Sequence, residues 1–563
     1  MIIATLLAGG ALATVVALLM SGGRPAAQVR AEDFVAAWAR NDYAAMYAEL
    51  TAADRRARPL RKFTAAHRRA AATATIVSLR PGEPGTPRDG VVSVPMTVVT
   101  RVFGPVRAML RLPFVGEGDA ARIDWSEHLT FPGVGPGERL ERHMRMPRRA
   151  DILARDGTPL ARGPDRTSAL GTVASAIVGV LGPAPAERVV RLRALGYPAD
   201  APVGITGLER VFDERLAGRP GGVLRAGGRT LGSSLPRPAP AVRTSIDLAV
   251  QRAAVEAKGD KAGGVAAVRP RTGEILALSG IAFSGLQPPG STFKVITLTG
   301  VLQAGLASPD STYPVQTSTT IEGVDIENAN GESCGGSLRA SFAHSCNSVF
   351  APLGAELGAE RLVKAAEAFG FNMDLGIPGA ATSTIPPASD IGDDLAVAAS
   401  AIGQGRVQAT ALQMALVAAT IAGHGRRPRL TLERTSRSRR TRTVDPGTTR
   451  IVARYMEAVV KEGTGKRAQI AGVRVAGKTG TAELRSTSQP DCIPSPEVPA
   501  CPPAPPDDPT DTDAWFAAYA PAHASRIAVG VLLIGAGAGG DTAAPVAKQV
   551  LLAGLKSTRR RGR

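Results

Sequence analysis

Strand-forming runs bracket the second half of the chain, and a long helical stretch separates them. At one end, "GGVAAVRPRTGEILALSG" (263–280) is two β-rich runs joined by a Pro…Gly turn, the pattern of a hairpin. At the other end stand "VRVAGKTGTAEL" (473–484), "AWFAAYA" (514–520) and "RIAVGVLLIGA" (526–536). Between them lie Ala/Leu-rich helical patterns, for example Leu395 to Gly423. Strands at both ends of a helical middle imply one sheet whose outer members meet late in folding, because the pairing is non-local. A terminal helix through "PVAKQVLLAGLK" (545–556) follows the last strand.

The rest of the chain is organised in front of this unit. "EDFVAAWARNDYAAMYAEL" (32–50) repeats apolar residues at helical spacing, with Phe34, Val35, Trp38, Tyr43, Met46, Tyr47 and Leu50 on the stripe. Strand-like runs come next, at "VVSVPMTVVTRVF" (91–103), "VRAMLRLPFV" (106–115) and "RIDWSEHLTF" (122–131). Helices followed by antiparallel strands make a small α+β domain over 26–140. An irregular, Arg-rich stretch over 141–240 reads as a pedestal, and a catalytic-sized domain occupies 241–558. That domain opens with "TSIDLAVQRAAVEA" (244–257), where Asp247 falls in the first turn of a helical pattern. Residues 486–513 are Pro/Asp-rich and form a surface insert between two strands.

Composition excludes several classes of function. The 563 residues are 44% hydrophobic and 21% charged, which is globular. The formal charge of +18 arises from 57 Arg and only 10 Lys beside abundant Ala, Gly and Pro, a pattern of genomic codon bias. Aromatics are 4%, and no basic run is interleaved with rings for base stacking, so nucleic acid is not an expected partner. Six histidines and four cysteines show no metal-ligand spacing, so neither metal nor cofactor is expected. Ile2 to Met20 carries no charge and approaches the span of a bilayer. It lacks a charged leader and has a weak cleavage site, so residues 1–25 read as a membrane anchor, or else a signal segment, on an exported chain. Export places the cysteines in an oxidising compartment.

Three short elements carry chemistry. In "PPGSTFKVI" (288–296), Ser291 and Lys294 share a helix face, so the amine can reach the hydroxyl; the same serine could simply cap the helix. In "FAHSCNSVF" (342–350), Ser345 and Asn347 are again good capping residues. Lys478-Thr479-Gly480-Thr481 interrupts a strand pattern with a small residue, which lets a ligand lie along the strand. Each pattern is weak alone. The order S-x-x-K, S-x-N, K-T-G, with gaps of 54 and 133 residues, is the set found in penicillin-binding proteins and serine β-lactamases.

Residues 244–556 accordingly resemble the transpeptidase domain of the penicillin-binding proteins, with further support from "SAIGQGRVQATALQMA" (400–415) and "AWFAAYAP" (514–521). "RRADILARDGTPLA" (148–161) and "GLERVFDERLAGRPGG" (207–222) look like the pedestal, or dimerisation, module of the class B, monofunctional members. Residues 27–140 look like the amino-terminal domain of the penicillin-resistance-type members and the actinobacterial penicillin-binding lipoproteins, a fold similar to nuclear transport factor 2. The lipoproteins' anchoring cysteine is absent here. The resemblance implies a multidomain α+β chain: a small cone-shaped domain, a pedestal, and a catalytic domain with a central antiparallel sheet and a helical subdomain.

It also implies roles. Ser291 would attack the penultimate D-Ala carbonyl of a peptidoglycan stem peptide and Lys294 would take its proton. Ser345 would relay a proton to the leaving amine, and Asn347 would hold the peptide amide. Lys478 would supply positive potential, with Thr479, Gly480 and Thr481 receiving the terminal carboxylate. The N–H groups of Ser291 and Thr481 would form the oxyanion hole. β-Lactams would be trapped at Ser291, and a glycan polymerase of the elongation or division machinery is the implied partner. Alternatives are a D,D-carboxypeptidase, and a β-lactam sensor or divisome scaffold. A β-lactamase is disfavoured because no E-x-x-L-N-like segment follows the S-x-N element. Gly331-Glu332-Ser333-Cys334-Gly335 matches the nucleophile-elbow pattern, but the polar "DIENANGE" before it is no strand. Four cysteines allow three pairings; the local one joins Cys334 to Cys346 and Cys492 to Cys501.

Overall fold

A computed structural model describes residues 24–435, 439–483 and 511–560. The segment Ile2–Met20, both Cys492 and Cys501, and most of the 486–513 insert lie outside the described residues. The chain divides into two compact units. One comprises residues up to 150 with 182–203 and 217–239; the other comprises 151–181, 204–216 and 240 onward.

In the first unit, helix α1 (Ala26–Ala39) turns its apolar stripe inward and buries Phe34, Val35 and Trp38. The helical pattern of 32–50 is broken at Asn41, which is left-handed (φ 60°), and Asp42 caps the next short helix by accepting from Ala45 N–H at 3.0 Å. Helix α2 (Leu60–Ala74) precedes an antiparallel sheet of β1 (Ile76–Pro81), β2 (Val91–Thr100), β3 (Pro105–Val115) and β4 (Arg122–Ile123), in that order. Strand β2 buries Val92, Val94, Met96 and Val98, every second residue, against the helices. The expected strand over 122–131 stops after two residues, because a 3₁₀ turn at Glu127–Thr130 takes over. Strands β5 (Leu140–Arg145), β6 (Gly221–Ala226) and β7 (Arg229–Ser234) form a separate antiparallel sheet. The part of the chain read as irregular is therefore partly ordered by pairing between residues some 80 positions apart, which no local pattern announces.

In the second unit, α3 (Leu248–Lys258) is capped by Asp247, whose Oδ1 accepts from Ala249 N–H at 3.2 Å. Strands β8 (Gly263–Val268) and β9 (Ile275–Gly280) are the expected hairpin. A helical region follows, including α4 (Lys294–Gln303), α5 (Leu338–Ala343), α6 (Asn347–Leu357), α7 (Asp394–Ala401) and α8 (Ala411–Ala422). After α9 (Pro446–Lys461), strands β10 (Ala476–Glu483), β11 (Thr512–Ala520) and β12 (Ile527–Leu533) return, and α10 (Ala543–Arg560) ends the unit. The sheet is antiparallel throughout, in the order β9-β8-β12-β11-β10. β8 and β12 are buried along their whole length, as strands covered on both faces must be. One face carries Val265, Phe516, Val529 and Val531 into a core with α3 and α10. The other receives α8, so close that a Cβ at Gly530 would lie 2.0 Å from Ala411 O.

The helical stretch expected from Leu395 to Gly423 is two helices. Between α7 and α8 the chain opens at Gly403 (φ 82°), whose carbonyl accepts from Gly290 N–H at 3.0 Å. Gln287 and Ala409 exchange backbone bonds beside it. Helical periodicity is local, whereas this break is set by a partner more than a hundred residues away.

Candidate active site

Pro288 and Pro289 stop the preceding segment, and Gly290 takes a left-handed conformation (φ 52°) open chiefly to glycine. A 3₁₀ turn, Gly290–Phe293, then runs into α4, whose residues Lys294 to Val301 are all buried. Among the described residues no side chain caps either start; Thr292 Oγ1 instead donates to Pro289 O at 2.6 Å. The Ser291 hydroxyl is thus not spent as a cap. Strand β10 lies against this turn. A Cβ at Gly290 would meet Thr481 O at 2.5 Å, and one at Gly480 would meet Pro289 O at 2.8 Å and Thr292 N at 3.0 Å. The K-T-G-T glycine is therefore required by contact between two backbones.

Around Ser345 the three sequence elements meet. Ser345 is left-handed (φ 65°) at the junction between α5 and α6. Lys478 Nζ donates to its hydroxyl at 2.7 Å, while Lys294 Nζ lies 3.4 Å from the same oxygen. Lys294 Nζ also donates to Ser345 O at 2.7 Å and to Asn347 Oδ1 at 2.6 Å. The other end of the Asn347 amide, Nδ2, donates to Glu327 O at 2.8 Å. Both amines are fully buried beside aromatic rings, Lys294 5.8 Å from the centre of Phe350 and Lys478 5.6 Å from that of Phe342.

Burial without a carboxylate partner disfavours the ammonium form. Desolvation, followed by the charge of Lys478, holds Lys294 well below the ordinary lysine range. Burial lowers Lys478 to about 7. A neutral amine one turn after a serine, with a second amine on the shared hydroxyl, can accept and pass on a proton at neutral pH. The Thr479 hydroxyl lies 2.5 Å from Thr464 Oγ1, and Thr481 Oγ1 accepts from Gly539 N–H at 3.4 Å.

The structure also brings in residues that no motif flagged. Thr464 sits between two glycines after α9, and Asn328 lies in the loop that presents Glu327. Their polarity and flanking turn residues were visible, but nothing local joined them to Ser345. Cys334 and Cys346 form a disulfide, which ties that loop to the Ser345–Asn347 junction. Ser333 lies exposed between a 3₁₀ turn and a short strand, without the strand-to-helix setting of a nucleophile elbow.

An antiparallel sheet with a helical subdomain, and a serine–lysine turn held against a K-T-G-T edge strand, place the second unit among the acyl-transferring serine enzymes of the β-lactamase and transpeptidase fold. Residues 263–552 match the penicillin binding protein transpeptidase domain, and residues 154–226 match the penicillin-binding protein dimerisation domain. The chain belongs to the penicillin-binding protein transpeptidases, of the class B type that joins these two domains. It is homologous to the peptidoglycan D,D-transpeptidase PbpA of Mycolicibacterium smegmatis, 33% identical over 434 residues covering 64% of this chain and 81% of the relative. The Mycobacterium tuberculosis PbpA is 31% identical over 388 residues, covering 56% and 72%. Among solved structures, the ceftriaxone acyl-enzyme of penicillin-binding protein A from M. tuberculosis superposes with a TM-score of 0.57 at 28% identity, covering 72% of this chain and 98% of that one. The D,D-transpeptidase domain of an Eggerthella lenta peptidoglycan glycosyltransferase gives a TM-score of 0.58 at 26% identity, covering 73% and 99%.

Proposed function

We propose that the chain is a peptidoglycan D,D-transpeptidase acting through an acyl-enzyme on Ser291. The observation that carries this is the Ser345 hydroxyl held by two buried amines, one of them a turn away from Ser291. Ser291 Oγ attacks the penultimate D-Ala carbonyl as its proton passes to neutral Lys294. The N–H groups of Ser291 and Thr481 receive the oxyanion. The amide C–N bond breaks, and the proton returns through Ser345 to the leaving D-Ala amine. A second stem peptide's amine then attacks the ester, and its proton leaves by the same route, restoring Ser291. Lys478 supplies the positive potential, Thr479 and Thr481 receive the terminal carboxylate along Gly480, and Asn347 holds the peptide amide.

This reading extends to the rest of the chain. Residues 1–25 anchor it in the cytoplasmic membrane with the catalytic domain outside, and a glycan polymerase of the elongation or division machinery is its partner. The division is 26–140, a domain similar to nuclear transport factor 2; 141–240, the dimerisation module; and 241–558, the transpeptidase with its 486–513 insert. Helices packed on a four-stranded sheet support the first assignment.

A fluorescent penicillin is expected to label the wild-type protein stably and Ser291→Ala not at all. A cross-linking assay with a lipid-linked stem peptide then reads the transfer itself. Absence of label on the wild type ends the acyl-enzyme reading, and label lost within seconds identifies a hydrolase instead.

A further inference from the structure

The loop between two short strands, Val324–Glu327 and Cys334–Ser337, contains a buried polar side chain that the serine chemistry described above does not use. Asn328 is 3% exposed and fully engaged. Its Nδ2 donates to Gln316 O at 2.8 Å, Glu332 O at 2.9 Å and Ser348 Oγ at 3.1 Å. Its Oδ1 accepts from Ser348 N–H at 2.8 Å, and its own N–H donates to Thr317 O at 2.8 Å. It thus laces both sides of the loop to the first turn of α6, the turn that begins with Asn347.

We propose that Asn328 is a positioning residue for acylation. By holding the Glu327 carbonyl against the Asn347 amide, it fixes which end of that amide meets the Lys294 amine. The inference rests on the acyl-enzyme reading above.

The physical reason lies in donor and acceptor types. A primary amide presents a carbonyl on one end and N–H groups on the other, and the two ends are almost identical in shape. Packing alone cannot choose between them. A neutral lysine amine does not choose either, since it both donates and accepts. A backbone carbonyl can only accept. Glu327 O at 2.8 Å therefore holds Asn347 Nδ2, which turns Oδ1 to Lys294 Nζ at 2.6 Å. Glu327 is the residue immediately before Asn328, so the anchoring of one sets the carbonyl direction of the other. The Cys334–Cys346 disulfide joins the same two segments but leaves the loop between 328 and 332 to be shaped by Asn328.

Asn328→Asp keeps the shape and the acceptor for Ser348 N–H but cannot donate to Gln316 O or Glu332 O. It is expected to lower the second-order rate of labelling by a fluorescent penicillin about ten- to a hundred-fold, the scale of a small misplacement of a reacting group. The acid limb of the pH–rate profile should also move to lower pH, most clearly in Ser348→Ala, which adds no charge, and less in Asn328→Asp, whose new carboxylate opposes the shift. Once Nδ2 can face Lys294, the protonated amine loses an acceptor and is disfavoured. A purely structural role would lower the melting temperature without moving that limb. Ser348→Ala, which removes only one acceptor, is expected to cut the rate about three-fold in the same sense. Wild-type rate and wild-type acid limb in Asn328→Asp overturn the proposal; should that variant not fold, the same result in Ser348→Ala does. A wild-type protein that takes no label instead refutes the acyl-enzyme reading itself.

Discussion

At the residue scale, the site is defined by two lysines in a place where lysine is costly. In the proposed mechanism Lys294 takes a proton and so must be neutral, and burial followed by the neighbouring Lys478 charge pushes it in that direction. Lys478, lowered to about 7, loses its charge as pH rises through neutrality. The second-order acylation rate of the free enzyme should therefore be bell-shaped, rising as Lys294 deprotonates and falling along an alkaline limb near 7. Stop-flow labelling from pH 5 to 9 checks this; a rate still climbing at pH 9 refutes the assignment to Lys478. The same burial weakens the fold. Both folded-state pKa values lie below the unfolded value of about 10.4. Between the two, the unfolded chain binds more protons, so stability rises with pH from about 7 toward that value. Lys478→Met at pH 7 should abolish labelling while raising the melting temperature by about 2–4 °C. A lower melting temperature would show that the Ser345 hydrogen bond outweighs the desolvation of the amine.

Elements matter here mainly where they are interrupted. The periodicity of 395–423 is helical throughout, yet Gly403 breaks it so that its carbonyl can hold Gly290 N–H. A Cβ at Gly403 would lie 2.0 Å from Gly290 O, on a backbone with φ 82°. Gly403→Ala is expected to cost about 1–3 kcal/mol and to slow acylation disproportionately, because the strain falls on the turn bearing Ser291. Melting curves read beside labelling rates decide this, and a stability loss with normal labelling would refute it. The disulfide acts on another junction. Reducing Cys334–Cys346 opens a loop of twelve-residue separation, worth roughly 3 kcal/mol in the chain-entropy account. Labelling under a mild reductant should slow as the Ser345–Asn347 turn loosens. Unchanged labelling after demonstrated reduction would mean that Asn328 and its neighbours hold the turn unaided.

At the scale of the whole molecule, the two units answer differently to acid. In the first, His67 of α2 is 1% exposed among Trp38, Tyr43, Phe63 and Trp125, with ring centres 4.5–5.9 Å away. Among the described residues, neither ring nitrogen has a hydrogen-bond partner. Burial lowers its pKa to about 3, against 6.5 in the unfolded chain. The neutral imidazole is favoured by folding, so its contribution is fully present above 6.5 and is lost as pH falls toward 3. At pH 5 this amounts to about 2 kcal/mol. His67→Phe should remove that share of the acid sensitivity, seen as a smaller loss of stability between pH 7 and pH 5 than in the wild type, followed through Trp38 and Trp125. A loss as large as in the wild type would assign the effect to another group.

Much of this molecule was legible before any tertiary contact was known. The hairpin at 263–280, the alternation in 91–100 and the helix that starts near Asp247 are local, because strand period and helix period depend on residues within a few positions of one another; that Asp247 is the cap and not part of the first turn came from the structure. The order and spacing of S-x-x-K, S-x-N and K-T-G also lie in the sequence, since a shared fold preserves where such residues fall along the chain. What only tertiary structure decided is what acts across distance in the chain. It stopped the strand at Ile123, split the helix at Gly403, and paired 140–145 with 221–226. It stripped water from Lys294 and Lys478, and it set the Glu327 carbonyl against the Asn347 amide. Those outcomes depend on desolvation and on backbone contacts between segments far apart in sequence, and neither is written in the neighbourhood of any single residue.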